Sequence, residues 1–426
     1  MKITILTWGS DGDVQPYIAL GLGLQKTGHR VSLATHPDYQ EFVERLGLDF
    51  RCVDCENWYK NYSSGTSQNP FALARYYNQV LQPFQDSVLT LLSDVCQGTE
   101  MIIFSPPAFP AYELVEKLGV PGYAACVVPL HTTRAFSSHF IPSHWRWGSS
   151  YNYLTHLFFN QLFWQAIRQP INQWRKKILH LPSISLFADP ISRMNRQQLP
   201  FLYGYSPTLL PKPSDWPDWV DVTGYWFLDS PVNWQPPTDL IKFLDAGSPP
   251  VYIGFGNKGG WESKTLTQLV LEALKLSRQR GILLIGEDLS NDINLPEWVF
   301  PIEWIPFDWL FPKLAAVVHH GGCGTIHTAL RFGVPNIIVP YNYDNFFWAE
   351  RLVDLGLAVP PIRRKQLSAE KLAKAIQASV SDEGIRMRVG AISKKVQVEN
   401  GVKRAVEVFE QYLQCDRYYQ ILKIDR

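Results

Sequence analysis

Ala316-Val317-Val318-His319-His320-Gly321-Gly322-Cys323-Gly324-Thr325 runs from an apolar strand through a glycine-rich turn into the start of a helix. Glycines let backbone N–H groups approach an anion closely, and a helix N-terminus adds partial positive charge, so such a turn is suited to hold phosphates. On that reading His320 is placed to add a hydrogen bond to a diphosphate oxygen, and Thr325 a hydroxyl. The plainer reading is a tight strand-to-helix turn with a capping threonine. Three glycines, a histidine and a threonine together weigh against it.

Outward from this turn the chain alternates as an α/β protein does. Strand patterns at Val251 to Phe255, Ile282 to Ile285, Ala316 to His319 and Asn336 to Val339 are interleaved with helices at Ser263 to Arg280 and from Thr325. The first half repeats the pattern with strands at Ile3 to Thr7, Arg30 to Thr35, Met101 to Phe104 and Gly122 to Cys126, and helices at Val14 to Thr27 and Ala111 to Leu118. Both halves therefore read as doubly wound parallel sheets. Between Trp58 and Leu92, and from Pro129 to Pro200, the alternation gives way to long aromatic-rich helical stretches, read as insertions. From Pro207 to Pro237 the chain is dense in Pro and Trp, which predicts an extended interdomain connection without a regular element. The expected domains are residues 1–225 and 240–400. Val402, Val406, Phe409 and Leu413 share one face of a last helix, and residues 402–426 are read as packing back on the first domain.

Composition narrows the function. The 426 residues exceed what one core usually supports. Forty basic side chains against 39 acidic ones give no field to gather nucleic acid, which is not expected as a partner. The 6 cysteines read as reduced thiols; Cys52 and Cys55 form a lone CxxC with no further pair of ligands at suitable spacing, so no metal is expected. The chain opens directly on a strand pattern, which predicts a cytoplasmic location. No apolar run approaches the ~20 residues that span a bilayer, leaving peripheral contact as the membrane option.

His320-Gly321-Gly322-Cys323-Gly324-Thr325, with Gly333-Val334-Pro335, Pro340 and Asp344-Asn345, resembles the donor signature of the UDP-dependent glycosyltransferases of GT-B fold. Gly9-Ser10-Asp11-Gly12-Asp13-Val14-Gln15-Pro16 and Trp304-Ile305-Pro306-Phe307-Asp308-Trp309-Leu310-Phe311 resemble its sterol and lipid glucosyltransferase branch, which is similar also to glycopeptide-antibiotic transferases. The resemblance implies two Rossmann-like domains facing across a cleft, and inverting transfer of a sugar, glucose from UDP-glucose as the leading guess, to a hydrophobic hydroxyl acceptor. It implies a UDP-sugar co-substrate and no cofactor or metal. Residue by residue it implies Asp13 as general base, with capping of the following helix as the alternative. Trp304 is implied to stack on the nucleobase and the Ile305 backbone to read its edge, against the alternative of a buried indole. Asp344 and Asn345 are implied to bind sugar hydroxyls, and Ser10, Gly12, Gly256, Asn257, His320, Gly322, Gly324 and Thr325 to line the donor. The family often has Arg at Asp11, Ser at Asn257, His at Phe307 and Gln at Asn345; the last touches the sugar-recognition pair, and the first sets a second carboxylate beside Asp13.

The acceptor side is less defined. Trp145, Trp147 and the Phe158-Phe159 region supply aromatic surface suited to a sterol, carotenoid or lipid, or to a membrane face, with His131 and His139 as assisting groups; each also reads as core of the inserted helices. Two rival classes remain. Gly254-Phe255-Gly256-Asn257-Lys258-Gly259 matches GxGxxG after a strand, with Glu287-Asp288 after the next, as in an NAD-binding oxidoreductase. A nucleotide-sugar epimerase or a non-catalytic nucleotide-sugar binder is the other.

Overall fold

A computed structural model of the protein describes residues 1–53, 88–141, 145, 147–229, 234–256, 264–285, 294–341 and 343–414. It divides into two compact units, residues 1–228 with 399–426, and residues 229–398.

The first unit holds a seven-stranded sheet of β1 (Lys2–Leu6), β2 (Arg30–Thr35), β3 (Asp49–Cys52), β4 (Met101–Phe104), β5 (Gly122–Cys126), β6 (Phe201–Tyr203) and β7 (Val220–Val222). The order is β3-β2-β1-β4-β5-β6-β7, every pairing parallel. Parallel strands are covered on both faces, so they read as near-continuous apolar runs; all four residues of Met101-Ile102-Ile103-Phe104 are buried. Chain direction across the sheet reverses between β1 and β4, which opens a crevice at their C-terminal ends where ligands of such sheets collect.

Helix α1 (Asp11–Lys26) leaves β1 toward this sheet, and α2 (Ala111–Leu118) links β4 to β5. The inserted region contributes α3 (Ser149–Trp174) and α4 (Pro190–Arg196). Arg175, at the end of α3, is buried with its guanidinium on Glu113 and Glu116 of α2, and Arg193 of α4 completes the cluster on the same two carboxylates. Paired charges of both signs satisfy one another there and fix the insertion to the helix layer.

The second unit holds β8 (Val251–Gly254), β9 (Gly281–Leu284), β10 (Val299–Ile302), β11 (Ala316–His319) and β12 (Asn336–Ile338) in the parallel order β10-β9-β8-β11-β12. Here the reversal falls between β8 and β11. Around this sheet lie α5 (Lys264–Ser277), α6 (Cys323–Arg331), α7 (Tyr343–Asp354), α8 (Ala369–Ser381) and α9 (Glu383–Val398). Val270, Ala273 and Leu274 of α5 share a core with Leu372 and Ile376 of α8 over the central strands.

The chain ends with α10 (Gly401–Gln414) on the first unit, where Ala405, Val406 and Phe409 join the core of β1, β2 and α1. Two glycines admit it. A Cβ on Gly23 would lie 2.4 Å from Val402 Cγ1, and one on Gly401 2.4 Å from the Gly224 carbonyl.

The doubly wound α/β reading holds in both units. The stretch from Pro207 to Pro237 is not free of regular structure: Val220 is buried and pairs with Phe201, so a Pro-flanked segment supplies the short edge strand β7. Strands β3, β6, β7 and β10 escaped the sequence pattern; β3 and β7 break a short run with charged residues. β10 also carries Pro301, tolerated because it lies on an edge.

Removing one member of the buried charge cluster strands its partners. Arg175→Ala is expected to lower unfolding free energy by about 3–5 kcal/mol in chemical denaturation. Arg196→Ala, at an exposed site on the same helix as Arg193, is expected to change it by less than about 0.5 kcal/mol.

Candidate functional site

Register brings two glycine turns together in the second unit. β11 pairs with β8 so that His319 lies opposite Gly254, and the turns that follow both strands leave the sheet side by side. Gly256 has φ +80°, and a Cβ there would meet His320 Cε1 at 3.4 Å. The His320 Nδ1 is buried without a partner at hydrogen-bond geometry among the described residues, and the Phe255 carbonyl acts on the ring as an acceptor. Burial drives this imidazole down to about 4, so it stays neutral near pH 7.

Gly321 has φ +94°, and a Cβ there would lie 2.8 Å from Ile338 Cγ2, so only glycine fits. Gly322 is the N-cap of α6 and supplies no capping side chain. The first intrahelical bond runs from the Ile326 N–H to the Gly322 carbonyl at 3.1 Å. The helix starts at Cys323, two residues earlier than its sequence pattern suggested, which puts Gly324 and Thr325 in the first turn. The N-terminus of α6 therefore presents its dipole and first-turn N–H groups without side-chain capping.

Behind the turn, the buried His319 accepts the Gly321 N–H on Nδ1 at 3.1 Å, while its Nε2 lies 2.9 Å from Asn336 Oδ1. An amide oxygen only accepts, so the proton sits on Nε2. Burial depresses His319 to about 3. His327, one turn into α6, donates from Nδ1 to the Cys323 carbonyl at 2.7 Å and is driven by burial to about 4. Neither His319 nor Asn336 was a candidate from sequence; the doubled histidine was the one available signal.

Trp304 follows β10 and is 59% exposed, so it is not the buried indole of the alternative reading. The Ile305 side chain beside it is buried. Strand order places β9 and β8 between the strand end that carries Trp304 and the one that carries His320, a lateral span of roughly 14 Å at ~4.8 Å per strand. Asp344 and Asn345 open α7. Asn345 is 3% exposed, and its Nδ2 donates to the Gly321 carbonyl and to Asp344 Oδ2, both at 3.3 Å. That amide nitrogen is thus engaged inside the turn. Phe307 stacks on Phe311 at 4.5 Å as part of the core. Asn257, Glu287 and Asp288 lie outside the described residues.

In the first unit Asp13 stands at the third position of α1. Its Oδ2 accepts from both the Ser10 N–H and the Ser10 hydroxyl, each at 2.8 Å, so the capping geometry is present. Gly9, at φ +136°, is required: a Cβ there would fall 2.5 Å from that oxygen. A Cβ on Gly12 would meet only Ser10 Oγ at 3.7 Å, ordinary contact, so the fold leaves room for a side chain there. The neighbouring Asp11 accepts from the Tyr39 hydroxyl at 2.8 Å. Asp13 remains half-buried beside the β1/β4 crevice.

The acceptor candidates separate. His131 is 1% exposed, with Nδ1 on the Tyr203 hydroxyl at 2.7 Å and Nε2 on Asn195 Oδ1 at 2.9 Å, and burial pushes it down to about 3. It belongs to the packing, since both ring nitrogens are spent. Burial likewise pushes His139 down to about 3. Trp145 and Trp147 stack with planes 3° apart, and Trp147 is 71% exposed. They continue along α3 into exposed Leu154, Leu157 and Phe158, one face at helical spacing. Leu186 and the exposed Phe187 lie beside α3, because Gln161 and Gln165 both donate to the Leu186 carbonyl at 2.7 Å. Among the described residues no helix is long and apolar enough to cross a membrane.

Residues 3–137 match the glycosyltransferase family 28 N-terminal domain, and residues 276–403 match the erythromycin biosynthesis protein CIII-like C-terminal domain. The chain is 37% identical to a sterol 3-beta-glucosyltransferase of Candida albicans over 99% of its own length. The chain belongs to the UDP-dependent glycosyltransferases of GT-B fold. Among that family it is also 35% identical, over 97% of its length, to a sterol 3-beta-glucosyltransferase of Komagataella phaffii. It spans 28% of the Candida protein and 34% of the Komagataella protein. Two solved structures share the GT-B fold. The calicheamicin glycosyltransferase CalG4 has TM-score 0.69 at 18% identity, covering 97% of this chain and 98% of that one. The glycosyltransferase VinC in complex with dTDP has TM-score 0.66 at 18% identity, covering 99% and 100%.

The three histidines predict a pH response. Each titrates near 6.5 when unfolded and lower when folded, so the unfolded chain takes up protons first. Stability of the second unit is expected to be full above about pH 6.5 and to fall as pH drops through about 4. Urea midpoints against pH read this directly, and a flat profile across that window would contradict the buried neutral imidazoles.

Proposed function

We propose that the chain catalyses inverting transfer of a sugar, with UDP-glucose as leading donor, to the hydroxyl of a sterol or a similar apolar alcohol. The observation that carries the reading is the uncapped N-terminus of α6 with the unpartnered Nδ1 of His320 beside it. A neutral imidazole still has one N–H to donate, and with the helix dipole it stabilises a leaving diphosphate, the role a divalent cation fills in other transferases. Trp304 offers the exposed face on which the base stacks, and Asp344 the carboxylate for sugar hydroxyls. Catalysis by general base falls to Asp13. As the acceptor oxygen bonds to the anomeric carbon, the carbon–oxygen bond to diphosphate breaks, the electron pair leaves with the diphosphate, and the hydroxyl proton passes to Asp13. Ser10, hydrogen-bonded to the same carboxylate, orients it.

The exposed stripe of Trp147, Leu154, Leu157, Phe158 and Phe187 supports an apolar acceptor and peripheral contact with the bilayer that carries it. The sterol glucosyltransferase relatives point to the same acceptor class.

Purified protein incubated in EDTA with UDP- and dTDP-sugars and mixed sterols is expected to release nucleoside diphosphate and yield an acceptor heavier by one hexosyl unit. Asp13→Asn is expected to lower kcat by about 10²–10⁴-fold and His320→Ala by about 10²–10³-fold. Product formation undiminished in both variants would remove both residues from the chemistry. Sedimentation with sterol-containing vesicles tests the stripe: the triple variant Trp147→Ser, Phe158→Ser, Phe187→Ser is expected to stay in the supernatant where the parent pellets.

A further inference from the structure

Gly321 is held at both ends of its own residue. Its N–H donates to His319 Nδ1 at 3.1 Å, and its carbonyl accepts from Asn345 Nδ2 at 3.3 Å. Gly321 is also the residue with φ +94°, where the chain turns from strand into helix. His319 is itself held by Asn336 Oδ1 at 2.9 Å, and Asn336 sits at the start of the neighbouring strand β12, in register with Val317.

From this we infer that His319, Asn336 and Asn345 are positioning residues for the donor: they set the phosphate turn in its anion-receiving form and govern affinity for a diphosphate without touching it. The physical reason is twofold. The bond to His319 turns the Gly321 N–H inward, which leaves the anion to the N–H groups from Gly322 onward and to His320. A diglycine turn is also the most freely rotating backbone available, and ordering it on binding costs affinity. Clamping Gly321 at N–H and carbonyl meets that cost during folding. Asn345 then acts at one remove from the sugar, and Asp344 is left as the direct contact. This inference rests on the nucleoside diphosphate reading of the site.

Calorimetry with UDP and with uridine separates the two. Uridine lacks the diphosphate, so a clamp on the phosphate turn moves only the UDP value. His319→Gln loses the acceptor that faces Gly321, and Asn345→Leu loses the donor to its carbonyl. Each is expected to weaken UDP binding on the order of 10-fold and to leave uridine binding unchanged. His319→Asn places an amide oxygen where Nδ1 stands and is expected to recover most of the loss. Equal weakening of UDP and uridine would reduce the trio to a structural support, and unchanged UDP binding in all three variants would overturn the inference while leaving the donor reading intact. Failure of the parent protein to bind UDP would overturn both.

Discussion

The parallel pairing of β8 with β11 is the constraint on which the glycine turns of the second unit, and the donor site proposed there, depend. With His319 opposite Gly254, the turns after two neighbouring strands emerge together, and Gly256 comes to lie against the His320 ring. A one-residue slip would exchange the inward and outward side chains of β11 and carry His319 out of reach of Asn336. The same sheet order puts Trp304 at the end of the edge strand β10, across two strands from the phosphate turn. Strand order alone thus spaces Trp304 and the glycine turn along one sheet edge, as the proposed donor reading requires.

Chemistry at that edge depends on burial as much as on residue type. A histidine in water is half protonated near pH 6.5, whereas burial holds His319, His320 and His327 neutral. For His319 neutrality is what allows Nδ1 to accept from Gly321. The positive potential at this turn is therefore the partial charge of the α6 dipole, which does not titrate. In the first unit the corresponding helix start, that of α1, is answered by its own residues: Asp13 and Ser10 close on one another, and the Gly9 conformation exists to admit that carboxylate. The cap engages Oδ2 of Asp13 through both the N–H and the hydroxyl of Ser10.

Much of this was legible because it is local. Apolar periodicity located the long strands and α1, and three glycines after β11 marked the anion turn. The C-terminal helix showed its apolar face at Val402, Val406 and Phe409. Strands β6 and β7 were illegible, since they fall where the strand–helix alternation gives way to the aromatic insertion and the Pro-rich stretch. The same blindness affected His131, which as an isolated histidine had no visible partner; Tyr203 and Asn195, which occupy its ring, are brought to it by the fold.

What the sequence by itself determined is the family, the doubly wound architecture and the residue types of the phosphate turn, because glycines, caps and apolar repeats act through backbone geometry within a few residues. Only the tertiary structure decided which of those side chains are exposed and which hydrogen-bond to one another. The Asn345 amide nitrogen donates to the Gly321 carbonyl, a contact the sequence did not show; Trp304, read as a stacking surface with a buried indole as the alternative, is exposed. The reason is physical: burial, pKa and hydrogen-bond partners depend on which strands become neighbours, and that is settled by the packing of residues far apart in the chain.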